Sequence, residues 1–529
     1  MEENSSNSKS EHIISQHIFM FPFRFSDDRP LSEWKKLAEK SSWEYKPFVI
    51  DNSKSEDSKL DTTSALFKDS AAKYNENAYF HEHTRRAILT RDKIGNSNEN
   101  VSIYFEKDLK ESSCFIINVK FKDDKENIIY KDYSLDVEHI SLRIFDTNVG
   151  ILTIELLNRT YCDINDIFII NDFGRRIYPQ FIGEQNGIEE TKENILPNKV
   201  TLKINEKEYA ENFILEDFLT LDIKLAKYIE ELLGTELYKE IIPVIDDRMY
   251  VLCWYGSNIW SRNLRQKNKN GYQFETSDEW YKFVFIDGKG KGAANKEMEK
   301  ELVKETTYSR WIEYGILYGI SRYSFVCLTD RGNFSYNQIR NHMQRMYYQM
   351  AIMILAQRAS MLKFSNDISK ITAKVKQGET IGDETFNKVK KLYSSFIRFE
   401  NMLNFIEVTP QEQGIEMYKM AYRNMGLEEM MNKLKSELDR LHQFVELQYS
   451  KERNQNISKL QIISLVLPFP TASILCTFFA PKHSNWWLYN FAVNALHFSN
   501  QTFWFLFFFI IVFIIFLTIL LWPWPFKKK

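Results

Sequence analysis

The stretch "INDFGRRIYPQF", residues 170–181, is the part of this 529-residue chain best suited to holding an anion. Gly174 permits a tight turn, Arg175 and Arg176 leave it together, and Tyr178 and Pro179 stiffen the exit. Guanidinium groups on a rigid turn offer paired donors to phosphate oxygens, and Phe173 or Tyr178 would stack on a base. The same arginines would equally serve as ion-pair partners at a subunit contact. A second cluster, "GISRYSFVCLTDRGN", supplies Arg322, Tyr323, Asp330 and Arg331.

Other chemistry-bearing patterns are less specific. "HEH" at 81–83 is an i,i+2 histidine pair, which on a helix points in different directions and makes no metal site. "DGKGKG" at 287–292 lacks the GK[ST] ending of a phosphate cradle and reads as a flexible basic loop. No nucleophile elbow or zinc-ligand spacing occurs, so no catalytic residue, resident cofactor or metal is assigned and the chain does not read as an enzyme. Five widely spaced cysteines without a CxxC pair read as reduced thiols of a cytosolic body. A formal net charge of −2 gives no signal for direct nucleic-acid binding.

The elements that must position these residues fall into distinct regions. Residues 1–16 read as a disordered polar tail and 17–335 as a cytoplasmic ligand-sensing domain of α/β or α+β class. Its strand candidates are "HIFMFPFRF", "SCFIINVKF", "ISLRIF", "ILTIELL", "DIFIIN", "YKFVFI" and "YSFVCL", with a hairpin at 146–150. Helices are expected near 31–40, 71–89, 215–233 and 309–319. Residues 336–459 read as a helical bundle and stalk, with Met343, Met346, Met350 and Met353 as a packing face.

The stalk helix is expected to start with Thr409 as N-cap, Pro410 at its first position and Glu412 completing a capping box. With no further proline before Pro468, an unbroken helix over 410–467 would be about 87 Å long. Leu427, Met431, Leu434, Leu438, Leu441 and Val445 form its apolar seam.

The C-terminal end is a separate physical class. Residues 460–529 hold no Asp or Glu and only Lys482, Lys527, Lys528 and Lys529 as cations. Residues 460–480 and 503–522 are uncharged runs about one hydrocarbon thickness long, read as two transmembrane helices. Residues 481–502 form an outer loop or interfacial helix and 523–529 a basic cytosolic tail. Lys451, Arg453 and Lys459 before the first run, with the final lysines after the second, place both termini in the cytoplasm of a bacterial inner-membrane, multi-pass protein. Ser464, Pro468 and Thr471 would line a pore. Asn490, Asn494 and His497 form a polar stripe that is either the wet edge of an interfacial helix or the outer mouth of that pore.

The run "NISKLQIISLVLPFP" and this layout resemble the CorA family of two-span divalent-cation channels, which implies a homopentamer. That family carries Gly-Met-Asn at the end of the first span, whereas this chain has "CTFFAPKHSN". In the body, "YSLDVEHISLRIFDTNVGILTIELLN" and "INDFGRRIYPQFI" are similar to the CorA-like membrane effectors of type III CRISPR systems. This resemblance implies antiviral defence by a channel opened by a nucleotide second messenger, an adenylate conjugate of S-adenosylmethionine (an S-adenosylmethionine–AMP-type nucleotide). The alternative is a CorA-family magnesium transporter with a divergent selectivity motif.

Overall fold

The computed structural model describes residues 12–47, 65–89, 100–109, 113–122, 127–178, 187, 191, 195–213, 225–246, 248–269, 271–288, 292–374, 382–466, 490–491, 493–494 and 499–521. It divides into two units, Met1–Lys374 with Lys390–Asp439, and Val375–Val389 with Arg440–Lys529.

The first unit is built on a mixed sheet of 13 strands. Its first half supplies β1 (Ser15–Phe25), β2 (Glu44–Tyr45), β3 (Ser102–Glu106), β4 (Cys114–Lys122), β5 (Ile128–Phe145), β6 (Val149–Asn158), β7 (Lys199–Ile204) and β8 (Lys207–Glu211). Later come β9 (Ile241–Pro243), β10 (Tyr250–Gly256), a separate ribbon of β11 (Lys267–Asn268) and β12 (Gly271–Tyr272), then β13 (Thr307–Tyr308), β14 (Leu317–Ile320) and β15 (Ser324–Thr329). The main path runs β13-β14-β15-β10-β1-β6-β5-β4-β7-β8, with β3 and β9 added on β5 and β1. Every pairing in this sheet is antiparallel except β10 with β15.

Helices α1 (Leu31–Lys40), α2 (Ala65–Tyr79), α3 (Glu82–Ile88), α4 (Ile164–Gly174), α5 (Lys227–Leu233), α6 (Thr235–Tyr238), α7 (Asn258–Leu264), α8 (Asp278–Phe285) and α9 (Lys296–Thr306) decorate the sheet. Two π-helical turns, Ser335–Ile339 and Met343–Tyr347, lead into α10 (Tyr348–Lys374). Then follow α11 (Asp383–Met402), α12 (Glu412–Asn424), α13 (Leu427–Val466) and α14 (Asn500–Leu521).

Strand β1 is buried along its length except at half-buried Arg24, as a strand covered on both faces must be. Its odd positions meet α4 and α1: Phe19 closes on Gly174, and Phe25 stacks on Trp34 at 3.8 Å between centroids. Helix α10 packs on β1 and β6, with Met343, Met346, Met350 and Met353 all buried as the sequence led one to expect.

Two apolar runs expected as strands, "DIFIIN" and "YKFVFI", are helical and belong to α4 and α8. A run this short cannot tell a helical from a strand period, and here the caps decide: Asp163 accepts from the Asn165 N–H and Ser277 from the Trp280 N–H. The helix expected near 309–319 is instead a 3₁₀ turn at Ile312–Tyr314 followed by β14.

The stalk differs as well. Helix α12 starts at Glu412 with Gln411 as its N-cap, while Thr409 accepts from the Gln411 N–H and donates to the Tyr79 carbonyl. The expected unbroken rod is interrupted at Met425 and Gly426, the latter at φ +67°, a conformation glycine adopts freely. The seam from Leu427 to Val445 is buried at all six positions. Helix α13 has 40 residues, about 60 Å along its axis.

In the second unit Phe386 stacks on Tyr449 at 4.0 Å and Tyr449 donates to Asp383 at 2.8 Å. Phe503 packs with Val493, Trp504 and Phe507. Among the described residues no helix is long and apolar enough to cross a membrane. In α14 the side-chain surroundings are described only as far as Phe513, and residues 467–489 lie outside the described residues.

A polar network sits inside the sheet. His17 donates through Nδ1 to Asn171 of α4 at 2.7 Å, Ser15 pairs with its Nε2 at 2.8 Å, and Asn158 donates to Ser15 at 2.8 Å. Burial lowers the His17 pKa to about 4, so the ring is neutral in the fold. Above pH 6.5 the ring is neutral whether folded or unfolded, and His17 adds no pH dependence. Below it, only the unfolded chain gains the proton, so stability falls until the folded pKa is reached. Thermal melts of the full chain should lose stability from this source between pH 6.5 and about 4, worth roughly 3 kcal/mol in total. His17→Gln should flatten that slope, and an unchanged slope in the variant would contradict it.

Candidate functional site

Arg175 stands at the C-terminal cap of α4 and is buried, donating through Nη2 to the Ile286 carbonyl at 2.9 Å. Around it the fold gathers Arg248, just before β10, Arg322 and Tyr323 in the turn between β14 and β15, and Arg358 on α10. They line a cavity of about 270 Å³ closed by Pro22, Met249, Tyr250 and Leu355. Asp246, the one carboxylate among the described lining residues, pairs with Arg248 at 3.1 Å.

Among the described lining residues four guanidinium groups face one carboxylate, and Asp172, behind Arg175 at 3.5 Å, is shared with Arg176, so cations outnumber acids here. The Tyr323 ring lies 5.3 Å from the Arg248 guanidinium carbon and 5.8 Å from that of Arg175, within cation–π reach. Burial brings the Arg175 pKa down to about 10, with Asp172 opposing and Arg176 and Arg248 adding to the fall, so it stays charged at neutral pH. Burial and the neighbouring Arg322 also hold Arg358 below the ordinary guanidinium value. The Nε atoms of Arg175 and Arg358 are buried with no hydrogen-bond partner among the described residues. Crowded, desolvated cations with unspent donors are the condition an anion relieves.

The local geometry explains why these residues meet. The Met249 N–H donates to the Arg175 carbonyl at 2.8 Å, and Arg176 forms a β-bridge with Arg248, so the exit of α4 is stitched to the entry of β10. Arg358 donates to the Met425 sulfur at 3.2 Å, and a Cβ placed on Gly426 would lie 3.8 Å from Arg322 Nη2. Two of the four arginines therefore touch the turn from which α13 departs.

Of the residues singled out in the sequence, Arg175, Arg322 and Tyr323 come together in this cavity. Arg176 turns aside and is committed to Asp172 at 2.8 Å, at the edge of the cluster rather than within it. Phe173 is 1% exposed in the core and half-buried Tyr178 packs on that same core, so the Phe173 ring has no free face to offer a base. Arg331 holds the Gly256 carbonyl at 2.8 Å, outside the cavity. His81 and His83 stack at 5.4 Å, and both rings bond to Glu407, His81 to its carboxylate and His83 to its carbonyl. No group of metal-ligating side chains occurs among the described residues.

Of the expected pore residues, Asn490 and Asn494 are exposed helical positions, and Ser464 is in α13 with its side-chain surroundings not described. Pro468, Thr471 and His497 lie outside the described residues. Arg248 and Arg358 were missed by sequence reasoning. A signal for Arg358 existed: it is the sole charge between Arg345 and Lys363 in an otherwise apolar helix, and such a charge requires a partner.

No protein-family model, curated protein or solved structure matches the chain.

Because Asp246 competes for Arg248, Asp246→Asn should tighten binding of inorganic pyrophosphate to the full chain by roughly tenfold, about 1.4 kcal/mol. Titration calorimetry reads this directly; weaker binding in the variant would mean that Asp246 positions Arg248 rather than opposing the anion.

Proposed function

We propose that this chain is a ligand-gated membrane effector of the CorA-like type, in which a nucleotide second messenger binds the arginine cavity and the signal passes along α13 to the apolar C-terminal segments. The observation that carries the reading is the convergence of Arg175, Arg248, Arg322 and Arg358 on one cavity that abuts Met425 and Gly426. A cavity of 270 Å³ is below the usual range of about 300–1,000 Å³ for whole small-molecule sites, so it suits the phosphate portion of a ligand rather than all of it.

Gating needs a ligand that binds the open and closed states unequally. Anion binding that pulls Arg322 and Arg358 inward changes what they offer to the Met425–Gly426 turn, where glycine tolerates backbone change at small cost. The helix leaving that turn extends for 40 residues. The membrane part of the reading rests on the uncharged runs 460–480 and 503–522, the second of which is helical as far as Leu521. Two spans, both termini in the cytoplasm of a bacterial inner membrane, a homopentamer and a role in type III CRISPR defence complete the proposal, with the adenylate conjugate of S-adenosylmethionine as its ligand.

The test is flux from liposomes holding the full chain. The adenylate conjugate should open a monovalent-cation leak, while ATP at the same concentration should do little. Arg358→Gln and Arg322→Gln should each weaken activation roughly tenfold to a hundredfold, since a charge-assisted hydrogen bond is worth about 1.5–3 kcal/mol. Arg176→Gln, committed to Asp172, should change it much less. Magnesium flux without any nucleotide would overturn the effector reading in favour of a transporter.

A further inference from the structure

The arginine cavity is not the largest hollow in the first unit. A second cavity, of about 580 Å³, opens between α2, the end of α3, strands β3, β5 and β6, and the start of α10. Its charge is of a different kind. Glu76, Glu106, Glu138 and Glu155 face Lys46, Lys73, Arg143 and Arg345, four acids against four bases.

Two departures from regular backbone build it. The pairing of β5 with β6 slips between Val137 and His139, leaving Glu138 as an extra residue beside the opening. Across from it the π turn Met343–Tyr347 carries Gln344 and Arg345 to the cavity wall. Bulges and π turns are costly irregularities that concentrate at functional sites.

The depth of the cavity is a charged surface held ready. Glu155 and Glu76 are each 7% exposed and Arg143 is 3% exposed. Gln16 and Gln344 both donate to Glu155 Oε1, the latter at 2.6 Å, and Gln349 donates to Glu76 Oε1 at 2.8 Å. Arg143 donates to the Ile88 carbonyl, yet its Nε has no partner among the described residues, and neither has the amide oxygen of Gln349. Nearer the rim, His139 pairs with Glu106 at 3.1 Å.

We propose that this second cavity binds a small zwitterion of the α-amino-acid class, its ammonium on Glu155 and Glu76 and its carboxylate on Arg143 and Arg345. A polyphosphate would set four carboxylates against itself, and a simple cation would meet four bases. Only a ligand with both charges satisfies both sets. An ammonium group donates three hydrogen bonds, which two carboxyls accept, and a guanidinium takes a carboxylate in paired fashion. Burial holds Glu155 and Glu76 above the ordinary carboxylate pKa, a cost that an ammonium seated between them would offset.

The experiment is calorimetry of the full chain in detergent micelles with the standard L-α-amino acids, one at a time, each paired with its N-acetyl derivative and its methyl ester. At least one free amino acid should bind, with both blocked forms weaker by tenfold or more. Glu155→Gln should cost tenfold or more, and Arg345→Met at the half-buried rim gives an independent reading should the buried variant fold poorly. Lys239→Gln, at an exposed side chain that lines neither cavity, should leave this binding unchanged. Absence of binding by every free amino acid, equal binding of a blocked form, or wild-type affinity in both cavity variants would overturn the proposal.

Discussion

His17 stands in the middle strand of the sheet with its ring closed between Ser15 and Asn171, and much of the molecule follows from that arrangement. Strand β1 is hydrogen-bonded to β6 on one edge and to β10 and β9 on the other, so the two halves of the sheet exist as one body only through it. A strand in that position has to be apolar, and from Ile18 to Phe23 it is. The polar residues at its start are tolerated because each has a partner, and those partners lie on β6 and α4. Asn171 is one residue before Asp172 and four before Arg175. The bond that satisfies a buried histidine therefore also fixes the rotation of the helix that delivers the first arginine of the cationic cavity.

The two cavities divide electrostatic labour. One gathers four guanidinium groups with Asp246 as the carboxylate among its described lining residues, so cations predominate. The other sets four acids against four bases among its described lining residues. Helix α10 contributes to both: Tyr348 and Gln349 lie on the balanced one, Leu355 and Arg358 on the cationic one, and the axial separation from Tyr348 to Arg358 is about 15 Å.

Reading the sequence succeeded wherever local pattern and tertiary outcome coincide. The runs that became β1, β4, β6 and β15, the hairpin after Phe145 and the apolar seam of α13 all carry their periodicity openly. It failed at α4 and α8, where "DIFIIN" and "YKFVFI" are too short to tell a helical from a strand period, and "DIFIIN" is besides buried from Ile167 onward. The stalk break was hidden for another reason. Gly426 looks harmless within a helical pattern, and only its positive φ makes it a joint. The site was half legible: Arg175 and Arg322 are conspicuous in their local motifs, whereas Arg248 and Arg358 acquire meaning only when a bridge and a helix contact bring positions 110 residues apart to the same wall.

The two π turns ahead of α10 bear on how this protein tolerates change in length. A π turn houses one residue more than the α path requires, which is how a helix absorbs an inserted residue without displacing the partners on either side of it. Two such turns in succession mean that the segment joining the last strand to α10 carries slack along its own axis. Most buried helices transmit a gained or lost residue as a turn of about 100° to everything downstream. Here Tyr348, Leu355 and Arg358 are insulated from it, so the connection can vary in length across descendants while the helix shared by both cavities keeps its face.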